Sequence, residues 1–269
     1  MGIAHTVTDG VAEVVMDNPP VNALTVAGWF ELADVVRALG ADPAVRVVIL
    51  TAEGRGFNAG VDIKEMQATE GFTALIGANR GCYAAFAAVY ECEVPVIAAV
   101  HGYCLGGGIG LVGNADIIVA SDDATFGLPE VDRGALGAAT HLARLVPQHR
   151  MRAMVYTSAT ATAAELHQYG SVLRVVPRDA LLAVAHEVAG EIASKSPTVI
   201  RPGRTAGSMI RTSVPKVLQP STRADSSSSR GTASKELRIM KIENGSWNMI
   251  RTRLRPIRES SSPSQPSST

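Results

Sequence analysis

Short apolar runs alternate with amphipathic stretches through the first two thirds of the chain. Residues 11–17 are largely apolar and end at Asn18-Pro19-Pro20, which predicts a strand paired as a hairpin with residues 3–8 through a turn at Asp9-Gly10. Residues 45–51, 94–100 and 117–120 are almost continuously apolar. Runs of this kind are typical of parallel strands that are covered on both faces. We therefore expect a mostly parallel sheet.

Helical periodicity fills the intervals between these strands. Apolar residues recur at helical spacing over 25–40, with Thr25 as N-cap, and over 72–90. After Gly137 the pattern is mostly helical. It is interrupted by a short predicted strand at 172–176, which is followed by a predicted helix at 178–194. Alternating strands and helices indicate an α/β fold.

Composition changes abruptly near Pro197. The following segment, 197–269, holds 15 Ser, 10 Arg and 7 Pro in 73 residues. Residues 1–196 carry a net charge of −9 and residues 197–269 a net charge of +9, so the neutral total hides an asymmetry. A segment this poor in apolar residues cannot offset its ordering entropy. We expect one domain over 1–196 and a disordered tail over 197–269, with a short helix between residues 235 and 255.

Two origins of this tail remain open. Residues 200–204 depart from helical periodicity, and a sudden turn to Arg, Ser and Pro is typical of a frameshift in a GC-rich gene, here after about Val199. The alternative is a genuine basic tail. It lacks the patterned aromatic residues of a nucleic-acid module, so no nucleic-acid partner is expected.

Several classes of protein are disfavoured by the remaining composition. No apolar run reaches the roughly 18–20 residues of a membrane span, and the first residues lack an export signal. We expect a cytoplasmic protein without a membrane partner. The three cysteines have no metal-type spacing, so neither disulfides nor a metal site are expected.

Two glycine-rich loops follow two of the predicted buried strands. They span residues 53–66 and 101–110, and the second leads into a predicted helix. Glycines let the main chain approach a ligand, and the free amides of a helix start favour an anion. The glycine triplet 106–108 by itself favours a tight turn with close helix packing. It matches neither a phosphate-binding loop nor a complete dinucleotide fingerprint.

The two loops and the segment 115–130 together resemble the three signatures of the crotonase, or enoyl-CoA hydratase/isomerase, superfamily. The matching runs are 57–66, 102–110 and 115–130, in order within 5–196. The resemblance implies a ββα spiral core to about residue 136, then a helical trimerisation region. It also implies an acyl-CoA thioester substrate and a homotrimer or dimer of trimers. No separate cofactor is expected, because Coenzyme A is part of the substrate.

The resemblance also implies roles for individual residues. The amide N–H groups of Val61 and Gly107 would form an oxyanion hole, and Glu130 would be the general acid/base. Apolar neighbours of Glu130 are expected to raise its pKa. The expected substrate-binding residues are Ala59, Gly60, Asp62, Ile63, Lys64, Gly106, Gly108 and His141.

Three of these residues have equally simple structural interpretations. Asp62 fits an N-cap, Lys64 fits either a CoA phosphate contact or solvent exposure, and His141 fits a second acid/base or a packed structural histidine. The role of Asp132, close to Glu130, is also open.

One position departs from the hydratases of this family. They carry a second glutamate where this chain has Gly110. Two carboxylates suit the addition of water across a conjugated double bond, so simple hydratase activity is doubtful here. A single carboxylate still permits proton shuttling or the activation of water for hydrolysis.

Finer details resemble the branch of the family that opens the remaining ring of a bicyclic, steroid-derived indane-type CoA thioester. They lie in residues 54–67, 69–76, 79–82 and 126–141. The implied reaction is hydrolytic carbon–carbon cleavage of a β-keto thioester. An enoyl-CoA isomerase or hydratase is the alternative, and a family member impaired by its altered C-terminus is a third hypothesis.

Overall fold

The computed structural model of the chain describes residues 2–133, 135, 137–205, 236–243 and 246–253. Two units divide the chain, residues 1–215 and 216–269. The strands of the first unit are β1 (Gly2–Thr8), β2 (Val11–Asp17), β3 (Val47–Ala52), β4 (Val96–Val100), β5 (Tyr103–Leu105), β6 (Ile117–Ser121), β7 (Thr125–Gly127), β8 (Ala161–Thr162) and β9 (Arg174–Val176). Its helices are α1 (Val26–Ala41), α2 (Ile63–Ala68), α3 (Thr73–Glu91), α4 (Gly107–Val112), α5 (Ala139–Leu142), α6 (Gln148–Thr157), α7 (Ala163–Gln168), α8 (Leu181–Ala193) and α9 (Pro197–Thr205), with 3-10 turns at Pro129–Arg133 and Arg178–Ala180.

Two sheets organise the first unit. The larger has the order β1-β2-β3-β4-β6-β9, in which β1 and β2 are antiparallel and every other pair is parallel. The smaller has the order β5-β7-β8, with β5 and β7 parallel. The predicted α/β class with a mostly parallel sheet is confirmed.

Both faces of the larger sheet are covered, as its apolar strands require. All six residues of β3 are buried. Val48 and Leu50 belong to a core that includes Trp29 of α1, whereas Val47 and Ile49 pack in a second core with α8. Each fully buried side chain of this size contributes about 1.5–3 kcal/mol. The strand is therefore held in place by helices on opposite sides.

The chain remains helical beyond the predicted domain boundary. Residues 200–204, which depart from helical periodicity in the sequence and were assigned to a disordered tail, belong to α9 instead. Arg201 anchors this helix by donating hydrogen bonds of 2.8 Å to the carbonyls of Gly40 and Val45, at and just beyond the end of α1. Local periodicity carries no signal of such a contact between distant segments.

The second unit contains a β-hairpin. Its strands are β10 (Glu236–Glu243) and β11 (Ser246–Arg253), paired antiparallel. The helix expected between 235 and 255 is therefore wrong. The overlooked signal is the dipeptide Asn-Gly at 244–245, which strongly favours a two-residue hairpin turn. The rest of the predicted disordered tail, 206–235, 244–245 and 254–269, lies outside the described residues.

Within the described part of the chain, no helix is long and apolar enough to cross a membrane.

Candidate active site

The two glycine-rich loops lie side by side at one edge of the larger sheet. They leave the carboxyl ends of β3 and β4, which are adjacent parallel strands. Phe57 N–H donates to the carbonyl of His101 at 3.0 Å, and Leu105 N–H donates to the carbonyl of Asn58 at 2.8 Å. This short ladder fixes the first loop against the second. Such an edge is where open α/β sheets place ligands.

Gly60 and Gly107 bring the two main chains into contact. A Cβ built at Gly60 would lie 3.1 Å from the amide nitrogen of Gly107, and a Cβ built at Gly107 would lie 3.3 Å from Gly60 Cα. Gly60 also has a φ of +90°, which side chains rarely permit. The glycines are thus required for this approach. The peptide that ends in Val61 N–H consequently lies next to Gly107 N–H.

Both of these amides are available to a ligand. Leu24 N–H donates to the carbonyl of Gly60 at 2.9 Å, so Val61 N–H, on the opposite side of the same trans peptide, points away from Leu24. Gly107 is the first residue of α4, where an N–H has no acceptor within the helix. Neither amide donates to an acceptor among the described residues. Two free main-chain donors from neighbouring loops are the groups from which an oxyanion hole can be built.

Glu130 is brought to these loops by the smaller sheet. Pairing of β5 with β7 continues as a 3.2 Å hydrogen bond from Gly106 N–H to the carbonyl of Gly127, and the 3-10 turn of Glu130 follows. A Cβ built at Gly106 would lie 2.9 Å from Glu130 Oε1 and 3.6 Å from Gly60 Cα. The carboxylate is therefore adjacent to the glycines of both loops.

The carboxyl group of Glu130 is largely withdrawn from solvent. Its Oε2 atom is buried and has no hydrogen-bond partner. Burial raises the pKa of Glu130 above its ordinary value, because the charged form loses hydration. A carboxyl with a raised pKa and an unused oxygen is suited to act as a general acid or base.

An aromatic ring occupies the space beside Gly110. A Cβ built at Gly110 would overlap the ring of Phe86 from α3. Phe86 packs edge-on against Trp29, with ring centroids 5.8 Å apart, and Trp29 in turn lies against Gly107. No side chain fits at Gly110 unless Phe86 moves. The chain therefore packs an aromatic ring where a side chain at position 110 would lie.

Comparison with known proteins identifies the family. A family model described as "Enoyl-CoA hydratase/isomerase" matches residues 6–238. The chain belongs to the enoyl-CoA hydratase/isomerase family. The crystal structure of an enoyl-CoA hydratase from Bacillus anthracis superposes with a TM-score of 0.72 at 31% identity, covering 77% of this chain and 82% of that one. The expected crotonase-like spiral fold is confirmed.

Two relatives in this family are considerably more similar. A protein of Rhodococcus jostii is 65% identical over 207 residues, 77% of this chain and 80% of the relative. One from Mycobacterium tuberculosis is 67% identical over 197 residues, 73% of this chain and 80% of the relative. Both are named "(7aS)-7a-methyl-1,5-dioxo-2,3,5,6,7,7a-hexahydro-1H-indene-carboxyl-CoA hydrolase".

The remaining residues singled out from the family motifs occupy distinct places. Asp62 caps α2, accepting hydrogen bonds from the N–H groups of Lys64 at 2.8 Å and Glu65 at 3.3 Å. Ile63 and Lys64 are exposed. Their contact with substrate stays a prediction.

Two further motif residues shape the glycine loops. The carbonyl oxygen of Ala59 lies 3.8 Å from the position of a Cβ built at Gly106. Gly108 allows α4 to pack against Asn58, whose carbonyl oxygen would lie 2.9 Å from its added Cβ. Sequence reasoning assigned no role to Asn58, Phe86 or Trp29. Glycines recur at helical spacing at positions 107, 110 and 113. This pattern could have indicated that large side chains of other elements pack against them.

The ring of His141 packs against the ring of Phe86. The two ring centroids lie 5.0 Å apart, and His141 Nδ1 is 3.5 Å from Thr140 Oγ1. Burial, together with the nearby Arg144 charge, lowers the pKa of His141 to about 4. The imidazole is therefore neutral at pH 7. These contacts favour its structural interpretation over a role as acid catalyst.

No group of three or more His, Cys, Asp or Glu side chains within the described ranges could hold a metal ion.

Proposed function

We propose that this protein hydrolyses a carbon–carbon bond in the ring of a bicyclic β-keto acyl-CoA thioester of the indane type, the class in the relatives' names. One observation carries the proposal: the Glu130 carboxylate, whose Oε2 has no hydrogen-bond partner, lies beside Gly106, which directly precedes one of the two free amides. This is one acid/base group and one oxyanion hole. Hydrolysis of a β-keto thioester needs both.

Glu130 acts first as a base. Its carboxylate removes a proton from water, and the resulting hydroxide attacks the ring ketone to form a tetrahedral adduct. The raised pKa makes Glu130 a stronger base than an ordinary carboxylate once it is ionised. The ketone oxygen carries the negative charge of the adduct.

Collapse of the adduct breaks the bond between the former ketone carbon and the α-carbon of the thioester. The electron pair passes to the thioester, which becomes an enolate, and the ketone carbon becomes a carboxyl group. Val61 N–H and Gly107 N–H stabilise the enolate oxygen, a contribution of roughly 3–4 kcal/mol per donor in comparable sites. Protonation of the α-carbon by Glu130 completes the addition of one water.

The position of the Phe86 ring beside Gly110 supports this reaction over hydration of an enoyl-CoA. Phe86 occupies the space that a carboxylate at position 110 would need, so a second carboxylate cannot stand there unless the ring moves.

Incubation with the bicyclic thioester in ¹⁸O-labelled water tests the proposal. We expect a ring-opened product with one ¹⁸O in the new carboxyl group, formed about 10²- to 10⁴-fold more slowly by Glu130→Gln. Hydration of a straight-chain enoyl-CoA without ring opening would establish the alternative activity. Absence of both, in a folded protein, would support the hypothesis of an impaired family member.

A place in steroid breakdown and a trimeric assembly are part of the same proposal. The relatives' names describe a CoA thioester of a fused bicyclic diketone, and we propose that the substrate of this chain arises in steroid breakdown. Light scattering on the purified full chain tests the assembly, with a mass of about three or six times 28.1 kDa expected. A monomer would contradict it.

A further inference from the structure

Asn58 is hydrogen-bonded through its side chain to Gly60, next to Val61, and through its main chain to the segment that leads into Gly107. It is completely buried, although its side chain is polar. Its Oδ1 accepts a hydrogen bond of 2.8 Å from the N–H of Gly60, and its Nδ2 donates at 2.6 Å to the carbonyl of Asn22. With both ends bonded, the amide group has one orientation. It therefore holds the peptide immediately before the one that carries Val61 N–H.

The main chain of Asn58 is hydrogen-bonded to the second glycine-rich loop, residues 101–110. Its N–H donates to the carbonyl of Tyr103 at 3.3 Å, and its own carbonyl accepts from Leu105 at 2.8 Å. Gly108 packs directly on the Asn58 carbonyl and Cβ, at 2.9 and 3.2 Å from an added Cβ. Asn58 thus also fixes the segment that leads into Gly107.

Asn22 gives this arrangement a rigid base. It is 3% exposed and has a φ of +53°. Its Nδ2 donates to the carbonyls of Glu53 at 2.7 Å and Gly56 at 2.8 Å, and its Oδ1 accepts from Asn18 N–H at 2.7 Å. The carbonyl that holds Asn58 therefore cannot shift without breaking several buried hydrogen bonds.

We propose that Asn58 is a positioning residue that sets the distance and direction between the Val61 and Gly107 amides. The inference rests on the oxyanion role of these amides in the proposed function. Asn58 touches neither substrate nor reacting atoms, so its effect passes through Gly60. A misplacement of about 1 Å in such a site costs on the order of 10²-fold in rate.

Asn58→Ala is the first test. It leaves Gly60 N–H without its acceptor, so we expect kcat for ring opening to fall about 10- to 100-fold while KM changes less than about threefold. Asn58→Asp keeps an acceptor for Gly60, so it should recover part of kcat. Should Asn58→Ala not fold, Asn58→Ser replaces it, because its shorter hydroxyl cannot reach both partners.

A second readout does not depend on the natural substrate. Acetoacetyl-CoA is a β-keto thioester whose enolate absorbs in the near ultraviolet, and two aligned amides should increase the enolate fraction of the bound molecule. We expect this absorbance with the wild-type protein and its loss with Asn58→Ala at saturating ligand. Asn58→Asp should restore part of it.

Asn114→Ala is the matched control. Asn114 is also buried and donates at 2.7 Å to a main-chain carbonyl, that of Gly110, but it does not contact the loop of Gly60. A similar loss of thermal stability is expected, with kcat and enolate absorbance within about twofold of wild type. Equal losses of both in the two variants would overturn the inference.

The outcomes separate the two proposals. Enolate absorbance that depends on Asn58, in a protein that does not open the bicyclic ring, would refute the proposed substrate and support Asn58. Ring opening with unchanged kcat in a folded Asn58→Ala would refute the role of Asn58 alone. Absence of the enolate signal in the wild type would refute both the oxyanion hole and Asn58.

Discussion

The ring of Phe86 occupies the space into which any side chain at Gly110 would project. Phe86 belongs to α3 and Gly110 to α4, so the contact joins two helices at the site. Its consequence is chemical as well as steric. An apolar ring stands where the family's hydratases carry their second glutamate.

Any side chain introduced at Gly110 should therefore destabilise the protein, because it would displace the ring of Phe86. We expect Gly110→Ala to lower the free energy of unfolding by about 1–3 kcal/mol, since overpacking forces the ring to move. In a double-mutant cycle, Gly110→Ala should cost less in the background of Phe86→Ala. Urea unfolding measures both. Gly190→Ala is the control, because Gly190 in α8 has open space around it and should gain up to about 1 kcal/mol. Strict additivity of the first two changes would contradict the contact.

Glu130→Gln should lower kcat/KM for ring opening by about 10²- to 10⁴-fold. In the wild type, kcat/KM should fall with decreasing pH through a pKa above 4.5, because the ionised form is the base. This acid limb should be absent from the residual activity of Glu130→Gln. A limb at or below the ordinary carboxyl pKa would contradict the burial of Glu130.

The stability of the same variant has a defined pH dependence. Because burial raises the folded-state pKa of Glu130, the folded protein binds more protons than the unfolded chain as the pH rises above 4.5. The wild type therefore loses stability over this interval, and glutamine does not titrate. We expect the melting temperature of Glu130→Gln, relative to wild type, to rise from pH 4.5 to pH 7. A constant difference would show that Glu130 is not desolvated.

Removal of one main-chain donor tests the oxyanion hole directly. Val61→Pro lacks the N–H, and the loss of one such donor typically costs about 10²- to 10³-fold in kcat. Val61→Ala keeps the N–H and should retain kcat within about threefold. Circular dichroism confirms that both variants fold. Equal activity of the two folded variants would exclude Val61 N–H from catalysis.

His141→Phe should preserve activity across neutral pH, because it keeps a ring against Phe86 and loses only a neutral imidazole. The depressed folded-state pKa has a second consequence. Wild-type protein should lose stability as the pH falls from 6.5 to about 4, since the unfolded chain binds the proton more readily. The variant lacks this contribution, which thermal melts at pH 4 and 7 measure. A large loss of kcat at pH 7 would instead restore His141 as an acid/base.

Local patterns were sufficient for the strands of the larger sheet and the long helices that cover it, but not for the short strands β5, β7 and β8 of the smaller sheet. The hairpin of β1 and β2, the Thr25 cap of α1 and the buried parallel strands follow from periodicity and turn chemistry. The errors fall at 197–205 and 236–253. At the first, Arg201 holds a helix through contacts with α1, and at the second an Asn-Gly pair was given too little weight.

By itself, the sequence determined the family, the two glycine-rich loops and the acidic residue Glu130. These features are local, because the glycines and the acid stand at fixed positions within short motifs. Only the tertiary structure decided that Phe86 fills the space at Gly110 and that Asn58 joins the two loops. Periodicity reports which face of an element is buried. The identity of the distant residue that meets this face depends on how all elements pack together.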